Sequence, residues 1–353
     1  MPTAFSSDAL KRLAFTLAIG LVGVHLFVWA TLPVPWILGA MSFAVIAALT
    51  GLKVGVPKPL RNTALAIVGS MIGTAFSPAI LDHLSTWLAI IIYNYLYLIT
   101  VIGAGTFFFC RICRQDVTTA FFSSSPGGLM EMPFLCEAVG GEARFVAMVH
   151  SVRVVIVVLA VPIYIRFAEA ASYATKGDVP RLSADLAAID AIILMTTAAV
   201  GYLVAKQLRV PAAALVGPML AGVIVHLFGW TEAKPPEVVF SLAQLVVGVS
   251  IGGYFVGVSI LSLKRITAYS LVWTMILLLI TGGFAYLGTY ILEVDFIVLL
   301  LALSPGGQAE MALVALFMGI EVPLIATVHI FRSMSIYAIV PLMFKIFRKP
   351  GQQ

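Results

Sequence analysis

The chain has 353 residues, of which 61% are hydrophobic and only 10% are charged, and its formal net charge at pH 7 is +5. Because soluble domains carry roughly a quarter charged residues, this composition excludes an ordinary soluble globule and predicts a polytopic membrane protein. The basic residues lie in short segments between apolar stretches, where they favour the cytoplasmic side of a bilayer. They form no basic stripe that would predict a nucleic-acid partner.

Ten apolar stretches are long enough to cross a bilayer, since a spanning helix needs about 20 residues. The first of them is interpreted as a transmembrane helix and not as a cleaved signal peptide. The predicted spans are at about residues 12–32, 34–52, 62–82, 86–110, 143–167, 187–208, 211–229, 238–261, 266–292 and 323–346. Each half of the chain therefore contributes five spans.

One unusual segment occurs twice, as SPGGLMEM at residues 125–132 and as SPGGQAEM at residues 304–311, 179 residues later. A duplication of this kind in an apolar chain is typical of membrane transporters. We therefore predict two membrane repeats, 1–168 and 186–353, joined by a polar linker at 169–185. Further identities at the same offset are Asp116 with Asp295, Gly140 with Gly319, Glu142 with Glu321, His150 with His329, Arg153 with Arg332, and Pro162 with Pro341.

The duplicated segments, 116–140 and 295–319, have 25 residues each, which is too few for two spans of about 20 residues. Pro-Gly-Gly interrupts the middle of each, because proline lacks a donor and glycine favours turns. We predict that each segment forms a re-entrant hairpin with a broken helix, and that Asp116 and Asp295 cap the first arms. Irregular backbone at this depth is tolerated only where it is buried in protein or lines a cavity.

The charged residues between the stretches predict the topology. Lys11 and Arg12 place the N-terminus in the cytoplasm. Five spans and a hairpin in each repeat make the two repeats cross the membrane in opposite directions, as inverted repeats, and place the C-terminus in the cytoplasm as well. If the hairpins were full spans, Lys206, Arg209 and Lys264 would lie outside, which the positive-inside rule disfavours.

The hairpin tips are the predicted substrate site. The helix that begins after each tip exposes free N–H groups and a positive dipole end, which together favour an anion. Glycine allows a ligand to approach the backbone, although the same residues also suit a simple tight turn. The predicted substrate-binding residues are Ser125, Pro126, Gly127 and Gly128 in the first tip and Ser304, Pro305, Gly306 and Gly307 in the second.

Two acidic residues, Glu131 and Glu310, lie one turn past the tips. A buried carboxylate in a bilayer is costly and is usually functional, so we predict that both exchange protons during transport. The alternative is that Glu131 pairs with Arg153 and Glu310 with Arg332, which would lock each hairpin to the helix that follows.

His150 and Arg153, like His329 and Arg332, are three residues apart and share one helix face. Arginine stays charged and binds a carboxylate with its planar fork, so the two arginines are predicted to bind substrate. The two histidines are predicted to take part in proton coupling, with a core histidine as the alternative. No metal or other cofactor is predicted, because nothing else completes a ligand shell and no nucleotide-binding loop is present.

Two glycine-rich runs, Gly69–Gly73 and Gly248–Gly253, are predicted to form small-residue packing faces. Such faces suit a contact within a scaffold or between subunits. A homodimer is compatible with either arrangement.

The duplicated SPGG-x2-EM segment resembles the AbrB-type bacterial membrane proteins, which are unrelated to the soluble DNA-binding proteins of that name. The resemblance covers nearly the whole chain and implies an all-α protein of the bacterial inner membrane. Members are often labelled as ammonia monooxygenases or transcriptional regulators. Neither label fits these residues, because the five histidines are dispersed whereas an oxygenase needs a clustered metal shell, and no basic DNA-binding module is present.

These patterns predict a secondary transporter of a small, anionic organic solute, coupled to protons. It is not expected to be an enzyme, because neither Ser125 nor Ser304 has a base at a recognisable spacing. The alternative is a membrane-embedded sensor or regulator that affects gene expression without transport.

Overall fold

The computed structural model describes residues 7–77, 84–129, 131–168, 187–257 and 264–347, with side chains described up to residue 338. In these ranges the chain is entirely helical, apart from its connections. The helices are α1 (Ser7–Trp29), α2 (Pro35–Leu49), α3 (Lys58–Gly73), α4 (Leu84–Arg111), α5 (Val117–Ser124), α6 (Glu131–Ala138), α7 (Ala143–Ala168), α8 (Ala188–Gln207), α9 (Ala213–Leu227), α10 (Glu237–Gly252), α11 (Lys264–Leu292), α12 (Phe296–Leu303), α13 (Gln308–Met318) and α14 (Val322–Phe347). A short 3-10 turn, Gly253–Phe255, follows α10.

The sequence duplication is also a duplication of helices. At the offset of 179 residues, α3 and α10 begin and end at equivalent positions, and so do α5 and α12, and α7 and α14. The proposed inversion of the two repeats across a membrane stays a prediction, as does the division into repeats. The predicted linker 169–185 lies outside the described residues.

Six of the described helices are long and apolar enough to cross a membrane, which supports a multi-pass helical membrane protein. They are Ser7–Trp29, Leu84–Arg111, Ala143–Ala168, Ala188–Gln207, Glu237–Phe255 and Lys264–Leu292. Two predicted spans, 34–52 and 211–229, correspond to shorter helices: α2 and α9 have 15 residues each, or about 22 Å. Both begin after a residue in the left-handed conformation, Val34 or Ala212, which ends any continuation toward the N-terminus.

The predicted span 62–82 is also displaced. Helix α3 has 16 residues and begins four residues earlier, because Pro57 precedes it and Pro59 lies in its first turn. Proline is favoured there because the first helical N–H groups have no partner within the helix. Helix α3 ends at Gly73, and residues 78–82 of the predicted span lie outside the described residues.

The chain divides into two compact units, and each unit draws on both halves. The first consists of Met1–Asp82, Pro162–Ser259 and Ala309–Pro323. Within it α3 packs on α9 and α10 packs on α2, so each of these two contacts joins a helix of one half to a helix of the other. A Cβ added at Gly69 would overlap the carbonyl oxygen of Leu215, and one at Gly248 would lie 2.5 Å from the carbonyl oxygen of Ile37. The predicted small-residue faces are therefore confirmed as helix contacts within the chain.

The second unit consists of His83–Val161, Ile260–Gln308 and Leu324–Gln353. An aromatic core holds it together: the Trp273 ring centroid lies 5.6 Å from that of Phe108 and 5.6 Å from that of Phe109. Helices α4 and α11 are further joined by Tyr97, whose hydroxyl lies 2.9 Å from that of Thr281. Both Ser-Pro-Gly-Gly segments belong to this unit.

Candidate functional site

Both predicted helix breaks are present. Helix α5 ends at Ser124 and α6 begins at Glu131, while α12 ends at Leu303 and α13 begins at Gln308. The first arms, α5 and α12, have eight residues each, or about 12 Å.

The predicted N-caps of these first arms are confirmed. The Asp116 carboxylate accepts from the Thr119 backbone N–H at 2.9 Å, and the Asp295 carboxylate accepts from the Ile297 N–H at 2.7 Å. Each aspartate thus satisfies a donor that the helix start leaves without a partner.

Each break leaves a helix carbonyl without its normal donor. In a continuous helix the Phe122 carbonyl would accept from the N–H of residue 126, but Pro126 has none. Instead, His150 Nε2 donates to the Phe122 carbonyl at 2.9 Å. At the second break Pro305 has the same effect on Leu301, and His329 Nε2 donates to that carbonyl at 3.0 Å.

The arginine of each pair also binds the backbone of the break. Arg153 Nη2 donates to the Gly127 carbonyl at 2.9 Å, and Nη1 lies 3.5 Å from the Ser125 carbonyl. Arg332 Nη1 donates to the Ser304 carbonyl at 2.7 Å. A cation is favoured there, because the last carbonyls of a helix form the negative end of its dipole. Thus α7 and α14 each hold one break through a His–Arg pair; we call these the first pair (His150, Arg153) and the second pair (His329, Arg332).

The tip residues themselves are largely buried. The Ser125 hydroxyl donates to the Phe121 carbonyl at 2.9 Å, and the Ser304 hydroxyl donates to the Leu300 carbonyl at 2.6 Å, so both serines bond within their own arm. Pro126, Pro305 and Gly306 are buried, whereas Gly127, Gly128 and Gly307 are half-buried.

The hydrogen bonds determine how the two histidine rings are protonated. A carbonyl oxygen only accepts, so Nε2 of both rings carries a hydrogen. In the second pair Arg332 Nη2 lies 2.7 Å from His329 Nδ1, and a guanidinium only donates. His329 Nδ1 therefore accepts, and that ring is neutral. His150 Nδ1 is buried and has no partner. The predicted proton-coupling role of His329 would require its bond to Arg332 to open.

No acidic side chain in the described part of the chain balances the charges of the two arginines. Arg153 is 2% exposed and Arg332 is 3% exposed, and their guanidinium groups lie within electrostatic range of each other and of Tyr97. Among the residues that the structure describes, no carboxylate forms an ion pair with either arginine. The alternative in which Glu131 pairs with Arg153 and Glu310 with Arg332 is therefore not what the structure contains.

The two glutamates have different surroundings, although both are half-buried. Glu131 belongs to the second unit, where its carboxylate lies within hydrogen-bonding reach of the Tyr337 hydroxyl and folds back over Gly128. Glu310 belongs to the first unit, where Arg61 is the neighbouring charge. The structure therefore gives the two predicted proton carriers non-equivalent partners.

Buried polar atoms without a hydrogen-bond partner are frequent in the second unit. Native structures normally pair such atoms with protein, water or an ion. In the described part of this unit they include Asn94 Oδ1, Ser123 Oγ, His150 Nδ1, Arg153 Nε, Trp273 Nε1 and Arg332 Nε. Both arginines and His150 of the predicted site belong to this group.

Two tyrosines near the predicted site residues were not predicted from the sequence. Tyr97 lies within electrostatic range of Arg153 and Arg332, and the Tyr337 hydroxyl lies within hydrogen-bonding reach of Glu131. At the offset of 179 residues their equivalents are Ile276 and Val158, so the duplication carries no signal for them. Tyr97 lies in the aromatic segment YNYLY, which would be expected for any helix of an aromatic core.

Comparisons with known proteins agree with the resemblance noted from the duplicated motif. The family model described as "Transition state regulatory protein AbrB" matches residues 36–348. A protein of Escherichia coli (strain K12) named "Putative regulator AbrB" is 27% identical over 331 residues, which cover 92% of this chain and 91% of that protein. "Uncharacterized protein YhjN" of Bacillus subtilis (strain 168) is 26% identical over 299 residues, covering 79% and 76% respectively. No solved structure matches the chain.

Proposed function

The chain belongs to the AbrB family, and we propose that it is a secondary transporter of a small organic anion, coupled to protons. The observation that carries this proposal is the pair of buried arginines, Arg153 and Arg332, that hold two helix breaks without an acidic partner among the described residues.

Broken helices support a transport site. Non-helical backbone within a membrane is tolerated where it is buried in protein or lines a cavity, and transporters with internal repeats place their substrate at such breaks. The proposal takes the two breaks as the tips of hairpins that enter from opposite faces of the bacterial inner membrane, with both termini cytoplasmic.

The charge at the breaks supports an anion as the solute. Burying a charge is costly unless a partner compensates it, and the charges of Arg153 and Arg332 repel each other. Each guanidinium also has a buried Nε atom without a partner. A carboxylate that enters this region would compensate the charge and accept the free N–H groups. The helices that begin after the breaks add a positive dipole end.

Glu131 and Glu310 are the proposed proton carriers. A carboxylate with no ion-pair partner in an apolar environment favours its neutral form, whereas a nearby cation favours the charged form. Glu131 has a tyrosine as its neighbour and Glu310 has Arg61, so the two carboxylates have different electrostatic surroundings. Coupling requires at least one of them to bind and release a proton in each cycle.

Flux measurements with the purified protein in proteoliposomes test the proposal. We expect an imposed pH gradient to drive accumulation of small carboxylates, whereas neutral and cationic solutes of similar size remain outside. Liposomes without protein provide the background. If a panel of mono- and dicarboxylates shows no protein-dependent flux under any gradient, the proposed transport function is wrong.

A regulatory role is the second candidate, because the name of the Escherichia coli relative describes a regulator. A membrane sensor would bind a solute at the breaks without moving it. Protein-dependent binding in detergent together with the absence of flux in proteoliposomes would favour this second function.

A further inference from the structure

We propose that the first break makes the specific contacts with the solute, and that the first pair selects an organic acid with a hydroxyl group beside its carboxylate. The inference rests on the proposed function for its anionic ligand, but it follows from a different observation. The two pairs are equivalent in sequence position, yet their hydrogen bonds differ.

The second pair has little capacity left for a ligand. Arg332 Nη1 donates to the Ser304 carbonyl at 2.7 Å and lies 3.4 Å from the Leu303 carbonyl. Its Nη2 donates to His329 Nδ1 at 2.7 Å and lies 3.3 Å from the Gly306 carbonyl. Both ring nitrogens of His329 are thereby used. This pair therefore holds its break and has only Arg332 Nε to offer.

The first pair retains both a free donor and a free acceptor. Arg153 makes one short bond, from Nη2 to the Gly127 carbonyl, and one contact of 3.5 Å from Nη1 to the Ser125 carbonyl. Its Nε has no partner, and His150 Nδ1 has none either. Both side chains are almost completely buried. Because they lie three residues apart on α7, they share a helix face.

The chemistry of these free atoms defines the ligand. A carboxylate is the natural acceptor for a guanidinium, since the two groups match in charge and geometry. The Phe122 carbonyl fixes one hydrogen on His150 Nε2, and the neighbouring Arg153 cation opposes a second one. Nδ1 of the neutral ring accepts, so the ligand must also donate. An ammonium group would donate too, but the adjacent Arg153 repels it. A hydroxyl group next to the carboxylate meets both requirements.

A simple carboxylic acid would satisfy only half of this site. It would bind Arg153 but would leave His150 Nδ1 unpaired, and an unpaired buried polar group lowers affinity. Sites that hydrogen-bond a substrate hydroxyl discriminate against analogues that lack it. If a water molecule stayed at His150 Nδ1, it would pair that atom with either acid bound, and the two acids would bind equally. The difference in affinity between the hydroxy acid and the simple acid is therefore the decisive measurement.

The test compares binding of lactate, as both enantiomers, and propionate to the full-length protein in detergent by titration calorimetry. We expect the better lactate enantiomer to bind roughly three- to tenfold more tightly, as one hydrogen bond implies. The methyl ether, 2-methoxypropionate, keeps the oxygen but cannot donate, so it should bind no better than propionate. This comparison needs no variant and therefore does not depend on how a substitution affects folding.

The variant His150→Gln assigns the discrimination to one atom. A glutamine amide can place its N–H near the position of Nε2 and keep the bond to Phe122, while it removes the Nδ1 acceptor. We expect this variant to bind lactate and propionate equally. The matched variant His329→Gln should keep the preference for lactate.

Three results would overturn the inference: equal binding of lactate and propionate to the wild-type protein, binding of neither acid, or a preference that survives His150→Gln. The proposed function can fail independently. If discrimination depends on His150 but proteoliposomes show no flux, the site is correct and transport is wrong. If carboxylates are transported without discrimination, transport is correct and the role of His150 is wrong.

Discussion

Pro126 and Pro305 each remove a helix N–H, and His150 and His329 supply the missing donor. The donor comes from the second helix after the break, α7 or α14, so the bond fixes each break to that helix as well as satisfying a carbonyl. An unpaired carbonyl would cost free energy in an apolar environment. The histidines therefore have a structural task in addition to any role in transport.

A double-mutant cycle between His150 and Pro126 tests whether His150 replaces the donor that proline removes. His150→Ala should lower the free energy of unfolding by about 1–3 kcal/mol, because it removes the imidazole donor from the buried Phe122 carbonyl. In a Pro126→Ala background the loss should be smaller, since the substituted alanine restores a backbone N–H. Thermal unfolding in detergent measures both effects. His329→Ala with Pro126→Ala serves as the control, and its two effects should add, because the residues serve different breaks. Additivity for His150 as well would contradict the assignment.

Glutamine substitutions test whether Glu131 and Glu310 couple transport to protons. Glutamine mimics a permanently protonated carboxyl, so Glu131→Gln or Glu310→Gln should flatten the pH dependence of uptake at whichever site couples transport to protons. Uptake measured across a range of external pH provides the test. Tyr337→Phe is the matched variant for Glu131, because it removes the hydroxyl and keeps the titratable group. Unchanged pH dependence in both glutamine variants would exclude proton coupling through these residues.

Helices of the two halves contact each other through glycines in the first unit. Gly69 on α3 lies against the backbone of α9, and Gly248 on α10 lies against the backbone of α2. Association of helices in lipid depends on such close approach, since burial of apolar surface adds little there. The first unit is therefore stabilised by contacts that any larger side chain would disrupt.

Alanine substitutions separate packing from helix propensity. Gly69→Ala should destabilise the protein by about 1–3 kcal/mol, because the added methyl group overlaps the Leu215 carbonyl. Gly103→Ala on α4 is the control, since nothing lies within 4 Å of its added Cβ, and it should be neutral or stabilising because alanine favours helices. Thermal unfolding in detergent measures both. Equal effects at the two positions would contradict the packing account.

Local chemistry made several elements predictable from the sequence. The breaks follow from proline and glycine, the caps from Asp116 and Asp295, and the matching helix bounds from the duplication. The lengths of α2 and α9 were predicted less well, because hydropathy does not register a left-handed residue such as Val34.

The bonding of the site was not predictable in the same way. The two pairs have the same residues at the same spacing, so their different bonding could not be inferred from the sequence. The difference arises from the positions of the Arg153 and Arg332 guanidinium groups in the folded chain, and so do the contacts of Tyr97 and Tyr337.

In the proposed inverted topology, equivalent loops of the two halves face opposite sides of the membrane. Lys53 precedes α3, and Ala233 lies in the connection before α10. In a background without the three native cysteines, Ala233→Cys should react with an impermeant maleimide applied to intact cells. Lys53→Cys should react only after the membrane is opened. If both positions react from the same side, the two repeats are not inverted.

The central claim is that the buried arginines at the helix breaks bind the carboxylate of a transported solute. The most direct test is carboxylate flux into proteoliposomes that contain the Arg153→Gln variant. Arg144→Gln is the control, because Arg144 lies on the same helix but is exposed. The account predicts that Arg153→Gln abolishes flux in a protein that still unfolds cooperatively, while Arg144→Gln retains it. Wild-type flux in a correctly folded Arg153→Gln variant would contradict the account.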